Sequence, residues 1–135
     1  KDSGLVWHFG GPVVPKPEGG GRVFLFGRSV STVAIHDGLV YAAEKAGFLN
    51  CLDARTGKKY WEYDLKAETW SSPFYVDGKV YMGTDDGNMY VFRPGKELKK
   101  PVKMDLEEAL QSPPMAVNGV LYVSNGFNLF AIAAK

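Results

Sequence analysis

The chain is poor in the residues that build most metal and redox sites. It has one cysteine, Cys51, and two histidines, His8 and His36. A single cysteine excludes an intrachain disulfide. The histidines stand far apart and neither falls in a ligand spacing, which excludes an imidazole-based zinc site. No apolar run reaches 18 residues, so no transmembrane helix is expected. Charge of one sign is also lacking: 16 basic residues face 15 acidic ones, for a net charge of +1. That excludes the broad positive field that nucleic acid or an anionic membrane surface requires. The densest basic run, Lys96, Lys99, Lys100 and Lys103, is surrounded by Glu97, Asp105, Glu107 and Glu108 and reads as a solvated loop face. Helical periodicity is nearly absent. Only 106–110 reads as helical, and it is too short to stand alone. The start, Lys1-Asp2-Ser3-Gly4, has neither an initiator Met nor the apolar core of a signal peptide, which reads as a processed or cut chain.

What the chain does have is a repeat. Ser31-Thr32-Val33-Ala34-Ile35-His36-Asp37-Gly38-Leu39-Val40-Tyr41 aligns with Ser71-Ser72-Pro73-Phe74-Tyr75-Val76-Asp77-Gly78-Lys79-Val80-Tyr81. Both align with Ser112-Pro113-Pro114-Met115-Ala116-Val117-Asn118-Gly119-Val120-Leu121-Tyr122. A fixed spacing of this size signals a modular array. Asp37-Gly38, Asp77-Gly78 and Asn118-Gly119 lie between apolar and β-branched residues. They predict two-residue hairpins, because a type I′ turn needs positive φ at both positions. The strands expected before these turns are 33–36, 74–76 and 115–117, and those after them 39–43, 79–83 and 120–124. A second turn (44–47, 84–87, 125–126) leads to a third strand at 48–52, 88–92 and 128–132. A fourth strand is expected at 59–63 and 101–104. Hydrophobic residues at 45% and aromatics at 13% suffice for a core. Four short strands per forty residues describe a propeller blade.

The third repeat supplies three strands, 112–133, with no fourth. Conversely, 5–9 looks like a fourth strand without a blade, with Trp7 standing where Trp61 stands in the first repeat. Between them 10–21, rich in Gly and Pro, must be an irregular loop. Residues 23–26 read as an extra strand or an apolar plug. The two incomplete parts are complementary. Residues 4–9 of one copy, or an equivalent strand from a missing N-terminal region, are expected to complete the blade of 112–133. Head-to-tail copies would close a ring by that route.

The segment Leu52-Asp53-Ala54-Arg55-Thr56-Gly57-Lys58-Lys59-Tyr60-Trp61 resembles the tryptophan-docking repeat of the pyrroloquinoline quinone (PQQ)-like β-propellers, in which an Asp precedes Thr-Gly and a Trp follows. Asp53 can accept bonds from turn N–H groups, Gly57 supplies a left-handed position, and Trp61 would bury its ring between neighbouring blades. Thr56 completes the motif. The second repeat departs from it, with Arg93-Pro94-Gly95-Lys96 and with Val102 where the Trp belongs. The resemblance implies an all-β fold of about three antiparallel four-stranded blades, the ring incomplete. Residues 1–28 hold an outer strand and loop, 29–66 the first blade, 67–110 the second and 111–135 a partial third. It also implies other blades as partners and an extracytoplasmic or periplasmic location. The repeats, without any catalytic cluster among the residues, point to a non-catalytic interaction scaffold. The alternative is a fragment of a quinone-dependent dehydrogenase, and only then are PQQ and Ca²⁺ expected.

Other constellations are weak. Cys51 lies in an apolar strand and reads as a buried inert thiol. His36 reads as a half-buried strand end. Asp85-Asp86-Gly87-Asn88 resembles part of a calcium loop, but it lacks the later Glu and reads as a hairpin turn. Gly19-Gly20-Gly21-Arg22 lacks the Lys-Ser/Thr of a phosphate loop. Ser31, Ser71 and Ser112 recur with the repeat, which marks structural hydroxyls. Glu68, Trp70 and Tyr75 read as blade-packing residues, with a pocket mouth as the alternative.

Overall fold

The computed structural model describes residues 4–13, 18–19 and 24–133, and its regular elements are all strands. The first sheet runs β1 (Ala34–His36), β2 (Leu39–Glu44), β3 (Phe48–Asp53), β4 (Lys59–Asp64), each strand antiparallel to the one before. The second repeats that order with β5 (Phe74–Val76), β6 (Lys79–Gly83), β7 (Asn88–Phe92) and β8 (Val102–Asp105). The third has β9 (Met115–Val117), β10 (Val120–Ser124) and β11 (Leu129–Ala133), with β11 at its edge. Several strands begin or end one residue from the expected limits, because ladder pairs such as Leu39 with Asp53 and Phe48 with Asp64 extend them.

The three Asx-Gly turns have φ of 50° and 74° at Asp37-Gly38, 49° and 71° at Asp77-Gly78, and 51° and 74° at Asn118-Gly119. Positive φ at both positions matches the right-handed twist of the strands that the turn joins.

Alternation then decides what each sheet face touches. In the first sheet Tyr41, Ala43, Leu49, Cys51 and Trp61 point one way and form a core with Val80, Met82, Tyr90 and Phe92 of the second. The second sheet's opposite face, with Met89 and Met104, packs on Leu121 and Val123 of the third. The sheets therefore stand face to face in chain order. The innermost strands β1 and β5 are adjacent: Thr32 N donates to Ser72 Oγ (2.9 Å), Ser31 Oγ to the Ser71 carbonyl, and His36 stacks on Tyr75.

Two expectations fail here. Residues 106–110 form no helix. The chain instead turns in the same way after β4 and β8. Asp64 Oδ1 accepts from Lys66 N (2.8 Å) and Asp105 Oδ1 from Glu107 N (2.9 Å). Lys66 and Glu107 take φ of 62° and 70°. An Asx turn at the end of each outer strand competes with helix formation over so short a stretch. Residues 5–9 are not a strand either, since no ladder partner lies beside them among the described residues. In the segment expected at 23–26, Phe24 forms one isolated bridge with Pro12; Val23 lies outside the described residues, as do 14–17 and 20–21 of the expected loop.

Leu110 closes the second sheet. It is fully buried in the second core, its N–H donates to the Thr84 carbonyl (3.0 Å), and its side chain fills the space beside Gly83. Leu110→Ala is expected to cost about 2–5 kcal/mol. The check is urea unfolding, with a lowered midpoint and an unchanged slope.

Candidate functional site

The chemistry of this chain is concentrated where sheet meets sheet. At the first junction three side chains of the first sheet grip the backbone of one residue, Gly95, in the loop that follows β7. Gly95 N–H donates to the Tyr41 hydroxyl (3.0 Å). Its carbonyl accepts from Trp61 Nε1 (2.9 Å) and from the Cys51 thiol (3.7 Å). The Trp61 ring is only 8% exposed and stacks on Phe92, with centroids 5.8 Å apart. The register explains the convergence. Tyr41, Cys51 and Trp61 are cross-strand neighbours on β2, β3 and β4, so one face presents all three side by side.

The turn between β3 and β4 is held by Asp53. Its Oδ1 accepts from Arg55 N and Thr56 N (both 2.9 Å), and its Oδ2 from Tyr60 Oη (2.8 Å). The Tyr60 hydroxyl, then the two N–H groups, hold the Asp53 carboxyl down at about 2. Lys58 N donates to Thr56 Oγ1, and Gly57 has φ of 72°. Trp7 lies over this turn. Its Nε1 donates to the Ala54 carbonyl (2.9 Å), and a Cβ at Gly57 would come within 2.6 Å of its ring. Trp7 thus meets the first sheet as Trp61 meets the second.

The N-terminal segments also cover the first sheet's other face. Val40, Ala42, Asn50 and Leu52 point away from the second sheet and are nevertheless buried. Residues 24–30 are tied to this side through Glu44 Oε2, which accepts from Gly27 N (2.7 Å), and through Ser29 Oγ and the Arg28 carbonyl. Glu44 is itself buried, with its Oε1 accepting from Asn50 Nδ2.

The junction between the second and third sheets differs. The register pairs Val91 with Val102 as it pairs Cys51 with Trp61, so Val102 occupies the Trp61 position. Val102 is 64% exposed, and a groove of about 700 Å³ opens between the second and third sheets. A smaller cleft of about 280 Å³ lies between the innermost strands β1 and β5.

The remaining expected residues fall as follows. Cys51 is fully buried, and burial pushes its thiol up to about 11. His36 is exposed rather than half-buried: it stands at the hairpin tip, where only the stacked Tyr75 ring (3.8 Å) covers it. Ser112 Oγ lies 3.2 Å from Ser124 Oγ. Asp85 and Asp86 flank the β6–β7 turn, with Asp86 bonded to Thr84. Burial, then the Glu68 charge, raises the Asp85 carboxyl above the usual range, against the pull of Lys45. Lys45 pairs with Glu68 (3.5 Å) and lies over the Trp70 ring (4.6 Å). Among the described residues no three His, Cys, Asp or Glu side chains converge as a cation site. No described helix is long and apolar enough to cross a membrane. Tyr41, Gly95 and Glu44 were not singled out from the sequence. A signal existed for Tyr41, since a Tyr recurs three residues after each hairpin glycine.

Residues 2–100 match the family described as outer membrane protein assembly factor BamB. Quinohemoprotein alcohol dehydrogenase ADH IIB of Pseudomonas putida is 28% identical over 111 residues, which are 71% of this chain and 16% of that protein. Among solved structures, BamB from Moraxella catarrhalis superposes with a TM-score of 0.65 at 21% identity, over 77% of this chain and 33% of that one. The quinohemoprotein alcohol dehydrogenase ADHIIG of Pseudomonas putida HK5 superposes with a TM-score of 0.67 at 20% identity, over 91% of this chain and 19% of that one. The chain therefore spans a third or less of these relatives, and the shared fold makes its three sheets blades of a β-propeller, without ring closure among them.

Two outcomes follow from the junction geometry. Trp61→Ala is expected to cost about 3–5 kcal/mol, whereas Trp61→Phe keeps the ring contact and loses about 1–2 kcal/mol with the bond to Gly95; denaturant unfolding of both variants checks this. The thiol of Cys51 and the hydroxyl of Tyr41, pushed up to about 12 by burial, are held neutral in the fold. Their contribution is fully present below the ordinary values of 9.0 for the thiol and 10.0 for the hydroxyl, and is lost as pH rises towards about 11 for Cys51 and about 12 for Tyr41. Stability measured across that alkaline window should fall, and Cys51 should react with a disulfide reagent only on unfolding.

Proposed function

Because the chain belongs to the PQQ-like repeat family of the outer membrane protein assembly factor BamB, we propose that it is a non-catalytic arc of a larger propeller that serves as an interaction scaffold. In this reading Asp53, Thr56, Gly57 and Trp61 are a docking motif that fastens one blade to the next, and Trp7 is the matching residue of the blade before. Blades run over 29–66, 67–110 and 111–135, with 1–28 contributing the outer part of a preceding one. The family description favours a location outside the cytoplasm.

One observation carries the reading. Tyr41 and Leu49 of the first sheet are buried by the second, while their counterparts in the third sheet, Tyr122 and Leu129, are exposed together with Met115. A sheet face of this kind is built to receive another sheet. The first sheet's outer face is already covered by the N-terminal segments, which favours further blades of a longer protein over head-to-tail copies as the neighbour of the third sheet.

The likeness to quinohemoprotein alcohol dehydrogenase ADH IIB favours a second reading, a fragment of a quinone-dependent dehydrogenase. That chemistry would need PQQ and a divalent cation such as Ca²⁺. The described residues do not fit such a cation: the acidic side chains Glu68, Asp85 and Asp86 are engaged by Lys45 and Thr84, and no donor set converges. The deciding experiment adds PQQ and Ca²⁺ to the chain and follows dye reduction with an alcohol. No turnover and no shift in quinone absorbance are expected; Ca²⁺-dependent dye reduction would replace the scaffold reading with the dehydrogenase one.

A further inference from the structure

We propose that the outer rim of the first junction, built on Lys58 and Lys96, binds an acidic segment of a partner polypeptide. The inference rests on the scaffold reading and deepens it, by naming the chemistry of one partner. It starts from a rearrangement of charge. In the sequence Lys96, Lys99 and Lys100 have Asp105, Glu107 and Glu108 as neighbours. In the fold β8 stands between the two groups. It carries the acids to the opposite end of the sheet, where Leu106 N donates to the Gly87 carbonyl (2.8 Å). From Lys100 to Asp105 the path is roughly 15 Å at the rise of a strand, and charges in physiological salt are screened over about 8 Å.

The same topology gathers cations from the first sheet. β3 and β7 run to the same end, so the turn at 53–59 meets the loop at 93–100. The turn brings Arg55, Lys58 and Lys59, and the loop Arg93, Lys96, Lys99 and Lys100. Against them stand two acids, Asp53 and Glu97. Asp53 is turned onto Arg55 N, Thr56 N and Tyr60 Oη, and Lys59 is paired with Glu62 (3.1 Å). The hairpin tips at this end add Asp37, Asp77 and Lys79, nearer the inner strands. The opposite end has the reverse balance, with Glu68, Asp85, Asp86 and Glu107 against Lys45 and Lys66. A net charge of +1 thus hides two ends of opposite sign.

Tyr60 is the centre of the basic rim. Lys58 Nζ lies 5.8 Å and Lys96 Nζ 5.4 Å from its ring centroid, both within reach of cation–π attraction. The bond from its hydroxyl to Asp53 (2.8 Å) fixes the ring. One ring therefore draws together exposed ammonium groups from two sheets. Like charges so placed repel each other, and a carboxylate set against them offsets that repulsion. Carboxylates spaced along a chain match this rim better than a uniformly negative surface does. A lipid headgroup layer or a nucleic-acid duplex would meet Glu97, Asp37 and Asp77 as repulsions, whereas a polypeptide can set neutral residues against them. Both segments belong to the junction between two complete four-stranded sheets.

The test follows the fluorescence anisotropy of a labelled peptide of alternating Glu and Ser as the full chain is added. A peptide of alternating Gln and Ser, phosphatidylglycerol vesicles and duplex DNA serve as comparisons. Saturable binding of the Glu peptide is expected, about tenfold tighter than that of the Gln peptide. It should be lost as ionic strength rises from about 0.1 M to about 1 M. Lys58→Gln combined with Lys96→Gln should weaken binding about tenfold, as the loss of two exposed ion pairs does. Lys66→Gln, at the opposite end, should leave it unchanged. Unchanged melting curves show that these variants fold. If the double variant does not fold, amide NMR shifts of the wild-type chain decide, expected only over 54–60 and 93–100. No saturable binding, equal binding of the Gln peptide, undiminished binding by a folded double variant, or shifts elsewhere would overturn the proposal. Tighter binding of the vesicles or the duplex through the same lysines would overturn the choice of an acidic polypeptide. None of these failures touches the scaffold reading, which falls to Ca²⁺-dependent dye reduction.

Discussion

The backbone of one residue holds the array together. Gly95 has both its N–H and its carbonyl turned toward the neighbouring sheet and satisfied there by Tyr41, Cys51 and Trp61. A buried backbone group without partners costs as much as a lost hydrogen bond. The second sheet can therefore seat only where those three side chains present themselves. Hydrophobic contact supplies the attraction, through Trp61 on Phe92 and Tyr63 against Tyr90 and Phe92. It does not fix a register, because apolar faces slide. The hydrogen-bonded clamp does, and it explains why Cys51, chemically idle, is nonetheless placed.

The same device is used once more at Trp7 and is missing once. Trp7 and Ala54 repeat the indole-to-carbonyl bond on the other side of the first sheet. Between the second and third sheets the core is smaller, built on Met89, Leu110, Leu121 and Val123, with an open groove beside it. The arc is thus firm at its first junction and looser at its second. Its two ends also differ, since the first sheet is covered while Met115, Tyr122 and Leu129 of the third face outward.

Much of this was legible in the residues. The Asx-Gly pairs located three hairpins, and the repeat of apolar segments between turns located eleven strands to within a residue, because both depend on local geometry. Asp53 and Gly57 announced a tight turn for the same reason. The failures were non-local. Nothing in 106–110 reveals that Asp105 will cap its own turn and leave Leu110 to plug the space beside Gly83. The apolar pattern at 5–9 forms no strand among the described residues, and pattern alone does not make one. Glu44 looked like an ordinary turn residue; only the return of residues 24–30 across the sheet buries it. His36, at the end of β1, is exposed because the strand stops there at the hairpin.

The contacts along the inner strands are small where those near the outer strands are large. Thr32 to Ser72 and Ser31 to Ser71 bring the backbones close together at one side of the sheets, while an indole separates them at the other. Two sheets spaced in this way form a wedge. The difference in thickness between serine and tryptophan sets its angle, and the angle sets how many such sheets complete a circle. Replacing tryptophan by valine at one junction is then a change in curvature: the size of a single side chain, read at the rim, enters the arithmetic of the whole ring.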